Sequence, residues 1–354
     1  MISHGITASC RFGVANQTDV YLIGPDGGLN ISSAVGGGPW SDLFGPQPGA
    51  MFQPGAAVAA SPQYGLANQT DVFAVGTNGQ LYVMWADGDD SWNNPYPIGG
   101  AGVFPPGAAV AASAQYGVPD TTVVFAVGNA GQLTVTWVGK DGVWKGPATI
   151  GATGVFPPGA AVAASAQYGV PDTTVVFAVG NAGQLTVTWV GKDGQWKGPA
   201  TIGATGVFPP GAAVAASAQY GVPDTTDVFA VNNNSEPTVS WVGPDGQWKG
   251  PANLVPDPQI TLPIIEDPRL TVTGTHFTPS GDVWLKYWVT GNNGPTPATQ
   301  NGLITVRADR YGRIGTKFQD PLGHSNKLEV NATDVATGRI ATGKTTDQHP
   351  IDPG

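Results

Sequence analysis

The chain has 354 residues, of which 84 are Gly or Pro and only 11% are charged, with a formal net charge of −10. This composition excludes a coiled coil or helical bundle, which need many Glu, Lys and Leu, and Gly does not recur at every third residue as collagen requires. The 41% hydrophobic content is enough to fold, the longest apolar runs, such as Ala108–Ala112, fall far short of a membrane span, and a loop-rich, mostly β protein remains.

The N-terminus, Met1-Ile2-Ser3-His4-Gly5, has no basic region and no apolar core. No signal peptide is visible, so cytoplasmic synthesis is expected, with any extracellular role needing a non-classical exit or a leader removed from this sequence. Cys10 is the only Cys, which excludes an intrachain disulfide. It is expected to be a small packed hydrophobe rather than a nucleophile.

The chain then repeats. FPPGAAVAASAQYG begins at Phe104, Phe156 and Phe208, and the variant FQPGAAVAASPQYG at Phe52, a period of 52 residues. An earlier copy is recognisable in Ile6-Thr7-Ala8-Ser9-Cys10-Arg11-Phe12-Gly13, so five copies fill roughly residues 1–256. The third and fourth copies differ only at Val143 against Gln195, which points to recent duplication.

Each copy reads as four short strands. In the third, Ala108–Ser113 is a small apolar strand and Thr122–Val127 a β-branched, aromatic one. The turn Gly128-Asn129-Ala130-Gly131 follows, with Gly and Asn supplying positive φ. Leu133–Val138 alternates with period 2, Gly139-Lys140-Asp141-Gly142 turns the chain again, and Trp144–Ile150 is a fourth strand that Pro147 assigns to an edge. Four strands in a unit of this length are the pattern of a β-propeller blade; the coils of a linear β-solenoid, the alternative, are usually much shorter. The Ala-rich first strand suits a crowded axis. The expected fold class is therefore all-β: a five-bladed β-propeller of 52-residue repeats over residues 1–256, closing by blade-to-blade contact after the complete fourth strand Trp248–Leu254.

Val255-Pro256-Asp257-Pro258 reads as a linker, and residues 257–354 as a second domain. Strands are expected at Leu270–Thr273, Val283–Val289, Leu303–Arg307, Gly315–Phe318 and Leu328–Asn331, with Asp309-Arg310-Tyr311-Gly312 as a hairpin turn between two of them. This spacing suggests an immunoglobulin-like β-sandwich, and Val272–Gly281 resembles the early strands of bacterial surface Ig-like modules. Thr345–Gly354 reads as a flexible tail.

Charge is uneven along the chain. The repeats hold 6 Lys and Arg against 15 Asp and Glu, a balance that repels phosphate backbones, so no nucleic-acid partner is expected; the short apolar runs leave no membrane insertion to expect either.

Several strings carry a family resemblance. Gln17-Thr18-Asp19-Val20-Tyr21, Gln69-Thr70-Asp71-Val72-Phe73, Asn78-Gly79-Gln80-Leu81 with Trp85, and the Trp-Val-Gly-Lys-Asp-Gly-x-Trp-Lys-Gly-Pro runs at Trp137–Pro147 and Trp189–Pro199 resemble bacterial fucose-binding propeller lectins of the Photorhabdus lectin type. Tectonin- and tachylectin-like lectins are more distant in architecture. The resemblance covers the five repeats and none of the C-terminal domain. It implies sugar sites between neighbouring blades, fucose or O-methylated sugars as ligands, and multivalent binding to glycans on cell surfaces or glycoconjugates. Those lectins close with seven blades, whereas five repeats are recognisable here.

The residues offer a compatible chemistry of their own. A neutral sugar presents apolar C–H faces and many hydroxyls, so an aromatic platform plus a few hydrogen-bonding side chains suits it. Each repeat has a third-strand Trp (Trp85, Trp137, Trp189 or Trp241) and a fourth-strand Trp (Trp92, Trp144, Trp196 or Trp248, with Trp40 in the first copy). Polar partners come from Gln63-Tyr64, Gln115-Tyr116, Gln167-Tyr168 and Gln219-Tyr220. The first copy has Ser33 in place of the third-strand Trp and Arg11-Phe12 in place of Gln-Tyr, so a site built on it is expected to be weak or empty. Two roles stay open for each Trp, blade packing or ligand platform, and two for each Gln-Tyr pair, strand capping or ligand contact. The Ser shared by all copies (Ser9, Ser61, Ser113, Ser165, Ser217) is expected to bond backbone. Asp19, Asp71 and Asp227 are replaced by Val123 and Val175 in the duplicated copies, which favours a local turn role over ligation.

Enzyme chemistry is poorly supported. Glycoside hydrolysis needs two carboxylates flanking the bond, and the repeats hold a single Glu, Glu236, with their Asp residues mostly in turns. His4, His276, His324 and His349 are scattered and give no zinc spacing. Asp87-Gly88-Asp89-Asp90 lacks the ligand spacing of a calcium loop and reads as a solvated turn. No cofactor is expected. Two readings remain: a multivalent lectin with the C-terminal domain spacing, tethering or oligomerising it, and a structural or assembly protein that uses the propeller as a protein-contact platform.

Overall fold

The computed structural model describes residues 5–46, 49–88, 91–262, 269–291, 298–322 and 327–346. Asp89, Asp90, His4, His324, His349 and most of the expected tail lie outside them. The chain divides into two compact units, Met1–Leu254 and Val255–Gly354.

The first unit is a succession of five antiparallel meanders. The first sheet has three strands, β1 (Ile6–Cys10), β2 (Gln17–Ile23) and β3 (Leu29–Val35); each of the others has four. The second is β4 (Val58–Pro62), β5 (Thr70–Val75), β6 (Leu81–Ala86) and β7 (Tyr96–Ile98); the third is β8 (Val110–Ala114), β9 (Thr122–Val127), β10 (Leu133–Val138) and β11 (Lys145–Ile150). The fourth is β12 (Val162–Ala166), β13 (Thr174–Val179), β14 (Leu185–Val190) and β15 (Trp196–Ile202), and the fifth is β16 (Val214–Ala218), β17 (Thr226–Val231), β18 (Pro237–Val242) and β19 (Trp248–Asn253). Pro147 sits on β11, which pairs only with β10 and is the edge strand that a residue without an N–H requires. In the first copy a single bridge, Ile31 to Phe44, stands where a fourth strand would begin.

The sheets stack face to face. Every residue of β5, β9 and β13 is buried, because both faces of these strands are covered and the period-2 polar face disappears. Val72 and Ala74 enter the core shared with the first sheet, while Phe73 and Val75 enter the core shared with the third. Four such cores join the five sheets. Each contains an edge-to-face pair between a second-strand ring and a Trp of the following sheet: Tyr21 with Trp92, Phe73 with Trp144, Phe125 with Trp196 and Phe177 with Trp248, at 5.8, 5.5, 5.4 and 5.5 Å. This arrangement sets the positive ring edge against the negative face. The Ala-rich first strands also meet, β1 on β4, β4 on β8, β8 on β12 and β12 on β16. A hydrogen bond crosses each junction beside them: the backbone N–H groups of Phe12, Tyr64, Tyr116 and Tyr168 donate to the hydroxyls of Thr70, Thr122, Thr174 and Thr226 at 3.0, 2.8, 2.8 and 2.8 Å. Among the described residues no comparable packing joins β16 back to β1, so the expected blade-to-blade closure is not made.

Local expectations are adjusted in three places. In the Gly128–Gly131 turn only Gly131 takes positive φ (67°); Asn129 instead donates its side-chain amide to the Gly102 carbonyl at 2.8 Å. Asp19, Asp71 and Asp227 are not turn residues but lie inside strands, buried opposite Ser9, Ser61 and Ser217. Cys10 is exposed rather than packed, because β1 has no sheet on its outer side. The shared Ser bonds backbone in three of the five copies: Ser9, Ser61 and Ser217 donate to the next residue's carbonyl at 2.9, 3.0 and 3.0 Å.

The second unit has two sheets, formed by β20 (Gln259–Thr261), β21 (Arg269–Thr275), β22 (Asp282–Gly291), β23 (Ala298–Arg307), β24 (Ile314–Gln319), β25 (Lys327–Asp334) and β26 (Ile340–Thr346). One runs β20-β21-β24 and the other β23-β22-β25-β26. Alternate residues of β21, β22 and β25 point into one core around Leu270, Leu285 and Val330. The Asp309–Gly312 turn closes locally, with the Gly312 N–H donating to the Asp309 carbonyl at 3.0 Å. It does not form a hairpin: β23 pairs with β22 and β24 with β21, so the turn carries the chain from one sheet to the other. Ala308, buried at the crossing, anchors that change of sheet.

Candidate functional site

The junctions between sheets are also where the candidate aromatic residues meet. Trp85 on β6 and Trp144, just before β11, pack against the same core between the second and third sheets. Together they line a cleft of about 520 Å³ with Gln63, Gln69, Leu66 and Tyr96. One junction on, Trp137 and Trp196 line a cleft of about 450 Å³ with Gln115, Val118, Thr121 and Lys145. Both volumes fall within the roughly 300–1,000 Å³ of small-molecule sites. Trp189 and Trp248 pack on the core of the next junction in the same way. At these three junctions the third-strand Trp thus works with the fourth-strand Trp of the following sheet, not of its own.

Two of the fourth-strand Trp residues have two tasks. An edge contact with Tyr21, Phe73, Phe125 or Phe177 fixes Trp92, Trp144, Trp196 or Trp248 in the core, while Trp144 and Trp196 also line clefts. Trp85 and Trp137 are half-buried like the fourth-strand Trp residues but make no edge contact with the Phe row. Trp241 enters none of the four cores, since no sixth sheet follows it.

The Gln-Tyr pairs divide. Gln63 and Gln115 line the Trp clefts. Gln63 is buried and accepts a 2.7 Å hydrogen bond from the Gln69 amide. The four backbone N–H groups of Gln63, Gln115, Gln167 and Gln219 close the adjoining loops onto the carbonyls of Gln69, Thr121, Thr173 and Thr225. The rings of Tyr64, Tyr116, Tyr168 and Tyr220 are exposed and lie away from the Trp clefts, in a second row of shallower hollows with the Gly-Val-Pro-Asp loops. Sequence reasoning missed Gln69 and Tyr96. The spacing of Gln69 two residues before the buried Asp71 was a usable signal; Tyr96 follows from the pairing of Val83 with Tyr96, which no pattern specifies.

The junction between the first two sheets is built differently. Ser33 replaces the third-strand Trp, and the buried Arg11 guanidinium lies 4.9 Å from the Trp92 ring centroid. Arg11 also donates to the Asp87 carbonyl at 3.0 Å and pairs with Asp19 at 3.7 Å. The aromatic face that a ligand would use is therefore covered by a side chain of the protein.

Asp71, the counterpart of Asp19 in the second copy, has no such cation. Its Oδ1 accepts from Gln69 at 2.7 Å, and its buried Oδ2 has no hydrogen-bond partner. Burial, with a smaller contribution from the Asp87 charge, pushes its carboxyl up to about 7. The folded protein then holds this proton where the unfolded chain has lost it, so stability falls as pH rises from about 4 to about 7 and is flat above. Asp71→Asn is expected to remove that fall. Thermal melts at pH 4 and pH 8 should differ less in the variant, by on the order of 3 kcal/mol of unfolding free energy; an unchanged pH slope would show that Asp71 stays ionised.

Among the described residues, no group of three or more His, Cys, Asp or Glu is placed to hold a metal ion. No protein-family model matches the chain, and no curated protein does. Solved structures do. SapL1 lectin, solved in complex with alpha methyl fucoside, shares 18% identity over 87% of this chain and 97% of its own, with a TM-score of 0.51. AofleA from Arthrobotrys oligospora shares 16% over 90% of each chain, also with a TM-score of 0.51. Both have the fold in common with this protein. The BP39L lectin from Burkholderia pseudomallei is much nearer, at 38% identity over 99% of this chain and 97% of that one, with a TM-score of 0.70. Identity of that order along the full length, repeats and C-terminal unit together, means that the chain belongs to the family of the BP39L lectin.

Proposed function

We propose that this protein is a multivalent lectin that takes fucose-like sugars, O-methylated ones included, in the clefts between neighbouring sheets, which act as five propeller-type blades in an unclosed row. The observation that carries the reading is the recurring Trp pair: Trp85 with Trp144 and Trp137 with Trp196, each contributed by two adjacent sheets and accompanied by a Gln. A 6-deoxy sugar has an apolar face to lay on one indole and hydroxyls for Gln63 or Gln115. The membership in a lectin family and the fucoside bound by SapL1 support the choice of sugar. Two such clefts on one unit, with the Trp189–Trp248 junction as a third position of the same build, give avidity on a glycan surface, because once one is filled the others meet their ligand at high effective concentration. The C-terminal unit, read as an Ig-like sandwich, serves as a spacer or tether.

Glycan-array binding followed by calorimetric titration with methyl α-L-fucoside tests this. Selective binding with a stoichiometry above one per chain is expected, and a silent array would leave the protein-contact platform as the better reading.

A further inference from the structure

The two ends of the sheet stack are halves of one interface. Every internal junction repeats the same parts, and each part is left unmatched at the ends. The outward position on the first strand is 8% exposed at Val58, Val110 and Val162 but 67% at its counterpart Ile6. At the other end, Val75, Val127 and Val179 are fully buried while the counterpart Val231 is 48% exposed. Phe73, Phe125 and Phe177 each meet a Trp of the following sheet; the fifth sheet's Phe229 is left half-exposed. The first sheet's Trp40, 52 residues before Trp92, is exposed. Thr18 is exposed where Thr70, Thr122, Thr174 and Thr226 are buried acceptors. The Tyr220 N–H occupies the donor position that Tyr64, Tyr116 and Tyr168 fill internally.

We infer that the fifth sheet of one copy docks on the first sheet of a second copy, head to tail, by repeating the internal junction. Phe229 would meet Trp40 of the partner subunit edge to face, and the Tyr220 N–H would reach the partner subunit's Thr18. The occupant is a second copy because the missing half of this interface, ring for ring and donor for acceptor, is present on the chain's own opposite end. A heterologous contact of this kind either closes a ring or extends. Trp241 would also gain Trp40 of the partner subunit as a facing indole, creating one more paired-Trp cleft. That last point rests on the lectin reading; the association itself does not.

The test uses the full chain with two charge substitutions at exposed positions, Ile6→Glu and Val231→Glu, which leave the monomer's core and its Trp clefts untouched. Light scattering and sedimentation of the unmodified protein should show assembly that grows with concentration. Each variant alone should weaken assembly at least tenfold. Mixed, the two retain one good half each, Val231→Glu the first-sheet face and Ile6→Glu the fifth-sheet face, and should form a 1:1 complex of twice the 36.1 kDa chain mass and nothing larger. The exposed thiol of Cys10, on the same outer strand, should label with maleimide more slowly in the Val231→Glu chain of that complex than in the same chain alone, while the Ile6→Glu chain's thiol keeps its free rate. A protein that stays monomeric over a wide concentration range overturns the inference. So does assembly that survives both substitutions, which would place the contact elsewhere on the chain. Loss of fucoside binding with assembly intact would instead count only against the lectin reading.

Discussion

Replacing Trp85, Trp137 and Trp189 by Ala together should abolish retention on immobilised methyl α-L-fucoside while the protein stays folded. The third-strand Trp residues are the informative ones. Trp85 and Trp137 line the clefts and Trp189 packs at the corresponding place of the next junction, but none makes an edge contact with the buried Phe row, so their loss should cost about 2 kcal/mol of stability each. Removing Trp144 or Trp196 would also break the ring pair that joins two sheets, a core truncation of about 4 kcal/mol, and lost binding would then be confounded with unfolding. At a single cleft, losing the platform should weaken affinity about 10- to 100-fold, since stacking of one sugar face on an indole is a matter of roughly 1–3 kcal/mol. Titration of each single variant should show one site lost from the total with the others unchanged. Arg11→Ala supplies the converse control: the first junction has Ser33 in place of the Trp partner, so uncovering Trp92 should add no strong site. Full binding by the triple variant would move the ligand away from these clefts.

The parts of this organisation that were legible from sequence share one cause: they depend on short-range pattern. The 52-residue period, the strand alternation of Leu133–Val138 and the edge placement of Pro147 each follow from local chemistry and all match the pairing observed. What was not legible depends on partners far along the chain. The joining of Trp85 to Trp144 rather than to Trp92 is set by which sheet follows which, and nothing in one repeat encodes it. The burial of Asp71 could not be read because Asp is ordinary in turns, and only the covering of both strand faces puts it inside. Cys10 was misplaced for the complementary reason: in the later copies its counterparts Pro62, Ala114 and Ala166 are partly covered beside a preceding sheet, and the first copy has none. In the second unit, Asp309–Gly312 carries ordinary turn residues, but the turn sequence cannot say whether the next strand returns to the same sheet or crosses to another.

Phe177→Ala should be among the most damaging single substitutions in the protein. Its ring is fully buried and meets Trp248 at 5.5 Å, so truncation removes apolar burial, leaves a cavity and frees the Trp edge, about 3–5 kcal/mol in all. For a unit of this size that corresponds to a fall of about 10 °C in melting temperature. Phe125→Ala is an internal control, because the third and fourth copies differ only at Val143 and Gln195. Any difference between the two costs then reports the neighbouring sheets rather than the residue. The same change at the half-exposed Phe229, where no following sheet is packed, should cost under about 2 kcal/mol in dilute solution. Stability in a linear stack is a sum of unit terms and nearest-neighbour junction terms, and the three positions differ mainly in how many junctions they serve. The cost at Phe229 should therefore rise toward that at Phe177 as protein concentration increases, if the fifth sheet gains a neighbour by association. Equal costs at all three positions in dilute protein would mean that the aromatic pair contributes little to the junction and that the sheets are held chiefly by their Ala-rich inner strands.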